Sequence, residues 1–287
     1  MSAAADAADP IAASSGRSAL EARLRHEVRG EVLFDRASRG RYSTDASIYQ
    51  IEPLGVVVPR SEADALAALQ IALDAGVPVL PRGGGTSQCG QTVGAALVID
   101  VSKHLNKVVE FDKDLRTATV QPGMVLDHLN AYLRPHGLWY PVDVSTSAQA
   151  TIGGMAGNNS CGSRSIRYGN MVHNVRGVEA VLADGSAMHF AAVPEDLTRL
   201  EGPEPYKELV RKIRAIAVRE AAEIEHRYPK VLRRVGGYNL DMMLPDGDRA
   251  ARLKARASAL TNRGKPSTVS LRNLPSPTNS VHGQHHV

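Results

Sequence analysis

Apolar positions first take on a helical spacing at Ala19, Leu20, Leu24 and Val28, after an Ala/Ser-rich stretch over residues 1–16 that is expected to be flexible. The β-branched run 54–58, bounded by Pro53 and Pro59, predicts a buried strand. Ser61 then offers a helix N-cap and Asp64 completes a capping-box spacing. Leu66, Leu69 and Leu73 share one face before Gly76 ends the helix. Residues 77–80 predict the next strand, and the strand–helix–strand order implies a parallel pair with a right-handed crossover.

Shorter strands are predicted at 97–100, 108–111 and 117–120, followed by a helix through Leu126, Leu129 and Leu133 that ends near Gly137. Residues 178–182 and 187–190 flank Asp184-Gly185, a hairpin signal. Leu209, Ile213, Ile216 and Ile224 predict one helix over 206–226 with charge on its other faces. After Pro245 the periodicity stops, and Arg, Ser, Pro, Asn and His dominate a segment expected to be a disordered tail. The class is α+β, with a folded region over 17–245 and the tail over 246–287.

Composition narrows the function classes. Of 287 residues 43% are hydrophobic and 22% charged, a globular mixture long enough for one or two domains. The net charge of +4 sits in the tail: residues 246–287 carry seven Lys/Arg against two Asp/Glu, which leaves 27 basic and 28 acidic residues before them. With no nucleic-acid-reading motif, that tail does not indicate a nucleic-acid partner. Two cysteines, Cys89 and Cys161, argue against a disulfide framework and for a reducing compartment. There is no apolar signal-like core near the N-terminus and no run of about 18 apolar residues, so a cytoplasmic protein without a membrane span is expected.

The most informative stretch is Arg82-Gly83-Gly84-Gly85-Thr86-Ser87, directly after a predicted strand. Adjacent glycines permit positive φ and let successive backbone N–H groups converge on an anion, with Thr86 and Ser87 adding hydroxyls. Such a loop reads as a pyrophosphate cradle or as a Gly-rich surface turn. Gly84 in particular is expected to need positive φ or close approach to a phosphate oxygen, so that Gly84→Val would harm cofactor binding far more than folding. The loop lacks the Lys of a P-loop, and Gln88 stands where a dinucleotide fingerprint has its third glycine, which disfavours ATP hydrolysis and a nicotinamide site.

A second stretch, residues 141–175, is rich in small and amide residues, including Thr151, Gly153, Gly154, Gly157, Asn158, Asn159, Gly162 and Gly169. Small residues let backbone approach a large flat ligand, and amides can bond its edge. Read as a long structureless loop, its length favours a functional role. His173 and His189 lie beside predicted strands and read as structural; His282, His285 and His286 have metal-like spacing in the tail, but no metal is assigned.

These segments, in this order, resemble the FAD domain of the flavoproteins grouped with p-cresol methylhydroxylase and vanillyl-alcohol oxidase, the PCMH type, and within it the glycolate oxidase and D-lactate dehydrogenase branch. The likeness is carried by residues 81–90 with Gln91, Asp100-Val101-Ser102, Gln121-Pro122-Gly123, residues 150–154 and 158–162, Arg167-Tyr168-Gly169 and Ala183-Asp184-Gly185. It implies a two-subdomain FAD-binding fold. By the resemblance, Arg82, Gly83, Gly84, Gly85, Thr86 and Ser87 hold the FAD pyrophosphate, and Pro81, Gly90 and Gln91 also bind the cofactor. Pro141, Thr151, Gly153, Gly154, Asn158 and Gly162 line the flavin ring and ribityl chain, and Val175 sits near the adenine. Relatives with covalent flavin often have a His in the glycine loop where this chain has Thr86, so FAD is expected to be non-covalent, and Cys161 reads as a small buried thiol rather than a link.

Arg234-Val235-Gly236-Gly237-Tyr238-Asn239-Leu240-Asp241 still resembles the family, and past Pro245 the likeness ends. Relatives continue with a Gly-Ser-Glu-Gly-Thr-type segment and a substrate domain that commonly supplies catalytic His residues. The resemblance therefore implies an FAD-linked dehydrogenase of 2-hydroxy acids whose substrate side is missing here, with 246–287 expected to be a frame-shifted or otherwise aberrant end. The alternatives are a non-catalytic FAD-binding module and a subunit that needs a partner chain to supply the substrate domain. No catalytic residue is assigned, and the chain alone is not expected to turn over D-lactate or glycolate.

Overall fold

The computed structural model describes residues 10–229 and 238–245. Expectations for 1–9 and 246–287, including the tail and its three histidines, and for 234–237 of the last family-like segment, fall outside the described residues. The described residues form two compact units that divide after Arg164.

In the first unit, α1 (Pro10–Glu27) is followed by β1 (Glu31–Leu33), α2 (Arg36–Tyr42), β2 (Gly55–Val58), α3 (Glu62–Asp74), β3 (Val79–Arg82) and β4 (Leu97–Asp100). The four strands form one sheet in the order β1-β2-β4-β3, with β1 antiparallel and the rest parallel. β2 and β3 are thus parallel as expected, but they do not pair, because β4 enters between them. Every residue of β2 and β4 is buried, as expected of central parallel strands. Val57, Leu97 and Ile99 join Leu20, Leu24 and Val28 of α1 and Ala68, Ile71 and Ala72 of α3 in one core. Val56, Val58 and Val98 form a second cluster with Leu33, Tyr42 and Leu80. Burying one such Val stabilises the fold by about 1.5–3 kcal/mol.

Two expectations for α3 change. The Ser61 hydroxyl accepts from Asp64 N at 3.1 Å, as a cap should. Asp64 does not return the bond to Ser61; its buried carboxylate accepts from Arg60 N at 3.0 Å and Arg29 N at 3.2 Å, tying the helix start to the turn after α1. Leu66, expected on the core face, is 47% exposed, and the small residues Ala68 and Ala72 meet the sheet instead.

The unit continues with the antiparallel pair β5 (Val108–Asp112) and β6 (Thr117–Val120), then α4 (Leu126–Leu133) and α5 (Ile152–Gly157). Leu129, Leu133, Met124 and Leu138 pack with Phe111, Val120 and Ile152. The chain leaves α4 through a 3-10 turn that ends at Gly137, φ 71°.

In the second unit, α6 (Ser165–Tyr168) and α7 (Met171–Asn174) precede the hairpin β7 (Val178–Val181) and β8 (Ala187–Phe190), which turns through Asp184-Gly185. The segment 141–175 is therefore not structureless, since it contains α5, α6 and α7. α8 (Glu204–Arg219) and α9 (Ala221–Arg227) replace the single helix expected, with the break at Glu220. Met188, Leu200 and Tyr206 form one cluster, and Ala217, Ile224 and Leu244 another. Among the described residues no helix is long and apolar enough to cross a membrane.

Candidate functional site

The glycine loop begins where β3 ends. β3 is an edge strand, so Pro81 can sit in it, paired with Ile99, without removing a bond that a second neighbour would need. Beyond Arg82, none of the backbone N–H groups of Gly83, Gly84, Gly85, Thr86 and Ser87 donates a hydrogen bond within the chain among the described residues. Five consecutive backbone donors at a partly exposed loop are thus left without a partner in the chain. Gly85 turns the loop with φ 64°, a conformation costly for a residue with a Cβ, and its carbonyl accepts from Ala46 N at 3.1 Å.

The loop rests on the second sequence-predicted segment. A Cβ on Gly83 would strike the Thr151 hydroxyl, and one on Gly84 would strike the Gln149 carbonyl oxygen. Gly84 does not have positive φ; the close approach it makes is to protein backbone. Thr151, buried, caps α5 by accepting from Gly154 N at 3.4 Å, and Gly153 N donates to Pro122 O at 2.8 Å. The segments around Pro122, Gly83 and Thr151 are thereby held together. Gly154 and Asn158 are exposed on α5 and its C-cap, and Pro141 is buried. Gly162 lies against the Asp143 backbone, where Asp143 also accepts from Ser163 Oγ at 2.7 Å and Arg164 N at 3.1 Å. Val175 belongs to the second unit, as the C-cap of α7.

Sequence reasoning missed the loop over residues 44–51. It is held to the glycine loop by Ala46, by the Thr92 hydroxyl donating to Asp45 Oδ2 at 2.9 Å, and by Tyr49, whose ring lies 2.6 Å from where a Cβ on Gly90 would stand. Gln91 contacts the Ser87 hydroxyl and so closes the far end of the glycine loop. A polar run of Thr44, Asp45 and Ser47 marks a turn, but nothing in it says what the turn covers. Burial raises the Asp45 carboxyl, and the bonds from Ser47 and Thr92 outweigh that, leaving it below its ordinary value.

Arg82 is engaged elsewhere than expected. Its Nη1 donates to Tyr42 O at 3.1 Å and Thr92 O at 3.0 Å, and its Nη2 to Thr44 O at 2.7 Å. The guanidinium carbon lies 5.3 Å from the centre of the Tyr42 ring. Tyr42 Oη donates to Asp100 Oδ2 at 2.6 Å, and burial, with that bond, pushes the phenol well above its ordinary value.

His173 Nδ1 accepts from Asn170 N at 3.0 Å, and His189 pairs with Glu179 across the β7–β8 hairpin. No cluster of His, Cys, Asp and Glu among the described residues could hold a metal. A shallow depression of about 260 Å³, lined by Asn130, Arg134, Leu138 and Trp139, contains none of the predicted site residues.

A family model described as an FAD binding domain matches residues 53–191. The chain is 34% identical over 222 residues to a D-2-hydroxyglutarate dehydrogenase of Pantoea ananatis, covering 76% of this chain and 22% of that protein. It is 39% identical over 186 residues to the glycolate oxidase subunit GlcD of Bacillus subtilis, covering 61% and 39%. The chain thus spans about a fifth of the length of the D-2-hydroxyglutarate dehydrogenases it matches. A carbohydrate oxidase from Microdochium nivale shares the fold, with a TM-score of 0.53 at 23% identity over 60% of this chain and 37% of that one.

Proposed function

We propose that this chain is the flavin-holding portion of an oxidoreductase acting on a D-2-hydroxy acid, a reading supported by the FAD binding domain model that matches residues 53–191. The observation that carries the reading is the run of five unengaged backbone donors at residues 83–87. Backbone donors need no deprotonation or rotamer search, and they suit the two phosphates of a dinucleotide. When bound, FAD supplies the redox chemistry, taking up a hydride from the carbon that bears the hydroxyl.

In this reading residues 83–87 hold the pyrophosphate, with Pro81 at one end of the loop and Gly90 and Gln91 at the other. Pro141, Thr151, Gly153, Gly154, Asn158 and Gly162 lie along the flavin and its ribityl chain, and Val175 serves the adenine. Thr86 stands in a loop without His, so the flavin is held non-covalently. The substrate class is supported by two relatives named for D-2-hydroxyglutarate and for glycolate, both 2-hydroxy acids. Operation as a subunit beside another chain is a second reading, supported by the Bacillus relative being named a subunit. The cytoplasm is the compartment we assign, since both Cys89 and Cys161 are free thiols.

Titrating the purified chain with FAD, followed by flavin fluorescence and absorbance, tests the reading. Saturable one-to-one binding is expected. Absence of binding up to about 0.1 mM FAD, an affinity weaker than about −5.5 kcal/mol, would overturn it.

A further inference from the structure

We infer that Arg82 is a positioning residue, which fastens residues 44–51 against the glycine loop instead of pairing with phosphate. The inference rests on the reading of the glycine loop as the cofactor cradle. A guanidinium recognises a phosphate through two adjacent, parallel donors. Here both hydrogens of Nη1 are directed at carbonyls, those of Tyr42 and Thr92, and Nη2 gives a third bond to Thr44 O. Three of the five guanidinium hydrogens, including both on Nη1, are already committed to protein carbonyls, so the end-on fork of the two terminal nitrogens is occupied.

The three carbonyls come from three places in the chain. Tyr42 ends α2, Thr44 begins the covering loop, and Thr92 lies just after the glycine loop. One planar cation therefore joins the element before the cover, the cover and the segment beneath it. Nη2 also sits 2.6 Å from where a Cβ on Gly85 would stand, so the guanidinium backs directly onto the positive-φ turn of the glycine loop. Tyr42 extends the arrangement: its ring lies under the guanidinium and its hydroxyl is fixed by Asp100, whose other oxygen accepts from Ser102 N at 2.8 Å and Ser102 Oγ at 2.7 Å. The positive charge is stabilised by carbonyl dipoles and an aromatic face, and its geometry is set by the last residues of β3 and β4. A Lys at this position would keep the charge but presents all its donors from one nitrogen, and could not reach three carbonyls that the planar fork spans with two.

Hydrogen exchange on the full chain without FAD reads the fastening directly, because Ala46 N donates to Gly85 O at 3.1 Å and Ile51 N to Ser43 O at 2.9 Å. In Arg82→Lys, exchange over residues 44–51 should quicken by about tenfold or more, while the amides of Val57 and Val98 in the central strands keep their protection. FAD affinity should fall in parallel. If Arg82→Lys does not fold, Tyr42→Phe, which removes one hydroxyl and keeps the ring, decides the matter with an increase of about two- to threefold over the same residues. Unchanged exchange at 44–51 in the folded variant overturns the inference and returns Arg82 to the phosphate. Because exchange is read without cofactor, this result stands whether or not the wild-type chain binds FAD, so the two readings fail separately.

Discussion

Gly84 and Gln149 meet backbone to backbone: a Cβ on Gly84 would overlap the Gln149 carbonyl oxygen. The contact joins the glycine loop to the segment that caps α5, so the loop and the segment behind it are one structure. Gly84→Val should therefore lower the stability of the cofactor-free chain by about 1–3 kcal/mol as well as weaken FAD binding. The sequence alone pointed to a far larger effect on FAD than on folding. Thermal denaturation without FAD distinguishes these: a variant with wild-type Tm and lost affinity would mean that the loop yields without strain.

The glycine loop's cover should loosen in acid. Asp45 is held below its ordinary pKa by Ser47 and Thr92 despite the opposing effect of burial, so its folded value lies below its unfolded one. Its contribution is then present above the unfolded value and lost as pH falls through the folded value. Comparing wild type with Asp45→Asn between about pH 7 and pH 3, the stability difference should be present at neutral pH and shrink in acid. A difference independent of pH would show that Asp45 acts only through its shape.

Acid precipitation of the FAD-loaded chain should leave the yellow chromophore in the supernatant, since the glycine loop has Thr86 and no His. Flavin that stays with the pellet would indicate a covalent bond and direct attention to Cys161, a free, half-buried thiol.

Removing the Asp64 carboxylate should be structural in effect. Asp64→Ala leaves Arg60 N and Arg29 N without their acceptor at a buried site, a loss of about 1–3 kcal/mol. The measurement is urea denaturation beside FAD titration; a fall in C_m with unchanged affinity is expected, and a change in affinity alone would contradict the assignment.

What could be read in advance divides along physical lines. β4 and β6 appear at the residues their β-branched runs predict, and Ser61 caps where its spacing says, because those signals act within a few residues. β1 was invisible, since three residues beginning with Glu become a strand only by pairing with residues 56–58. Leu66 was misassigned because hydrophobicity ranks Leu above Ala, whereas a helix lying close on a sheet favours small residues at the contact. α5, with the sequence Ile-Gly-Gly-Met-Ala-Gly, contradicts helix propensity and is imposed by the Thr151 cap and the Pro122 contact. At the candidate site the glycine loop and the 141–175 stretch on which it rests stood out, and the cover over them did not. Tyr42 and the 44–51 cover come from distant sequence and carry no motif of their own.

The position of β4 between β2 and β3 also sets an order of events during synthesis. Until residues 97–100 have emerged, the two earlier strands have no common neighbour, and α3 has no complete surface on which to settle. Val56, Val57 and Val58 wait with an open edge, a state prone to pairing with other chains. The glycine loop lies in the connection that crosses back from the end of β3 to the start of its parallel neighbour β4, so the chain that completes the sheet also carries the loop.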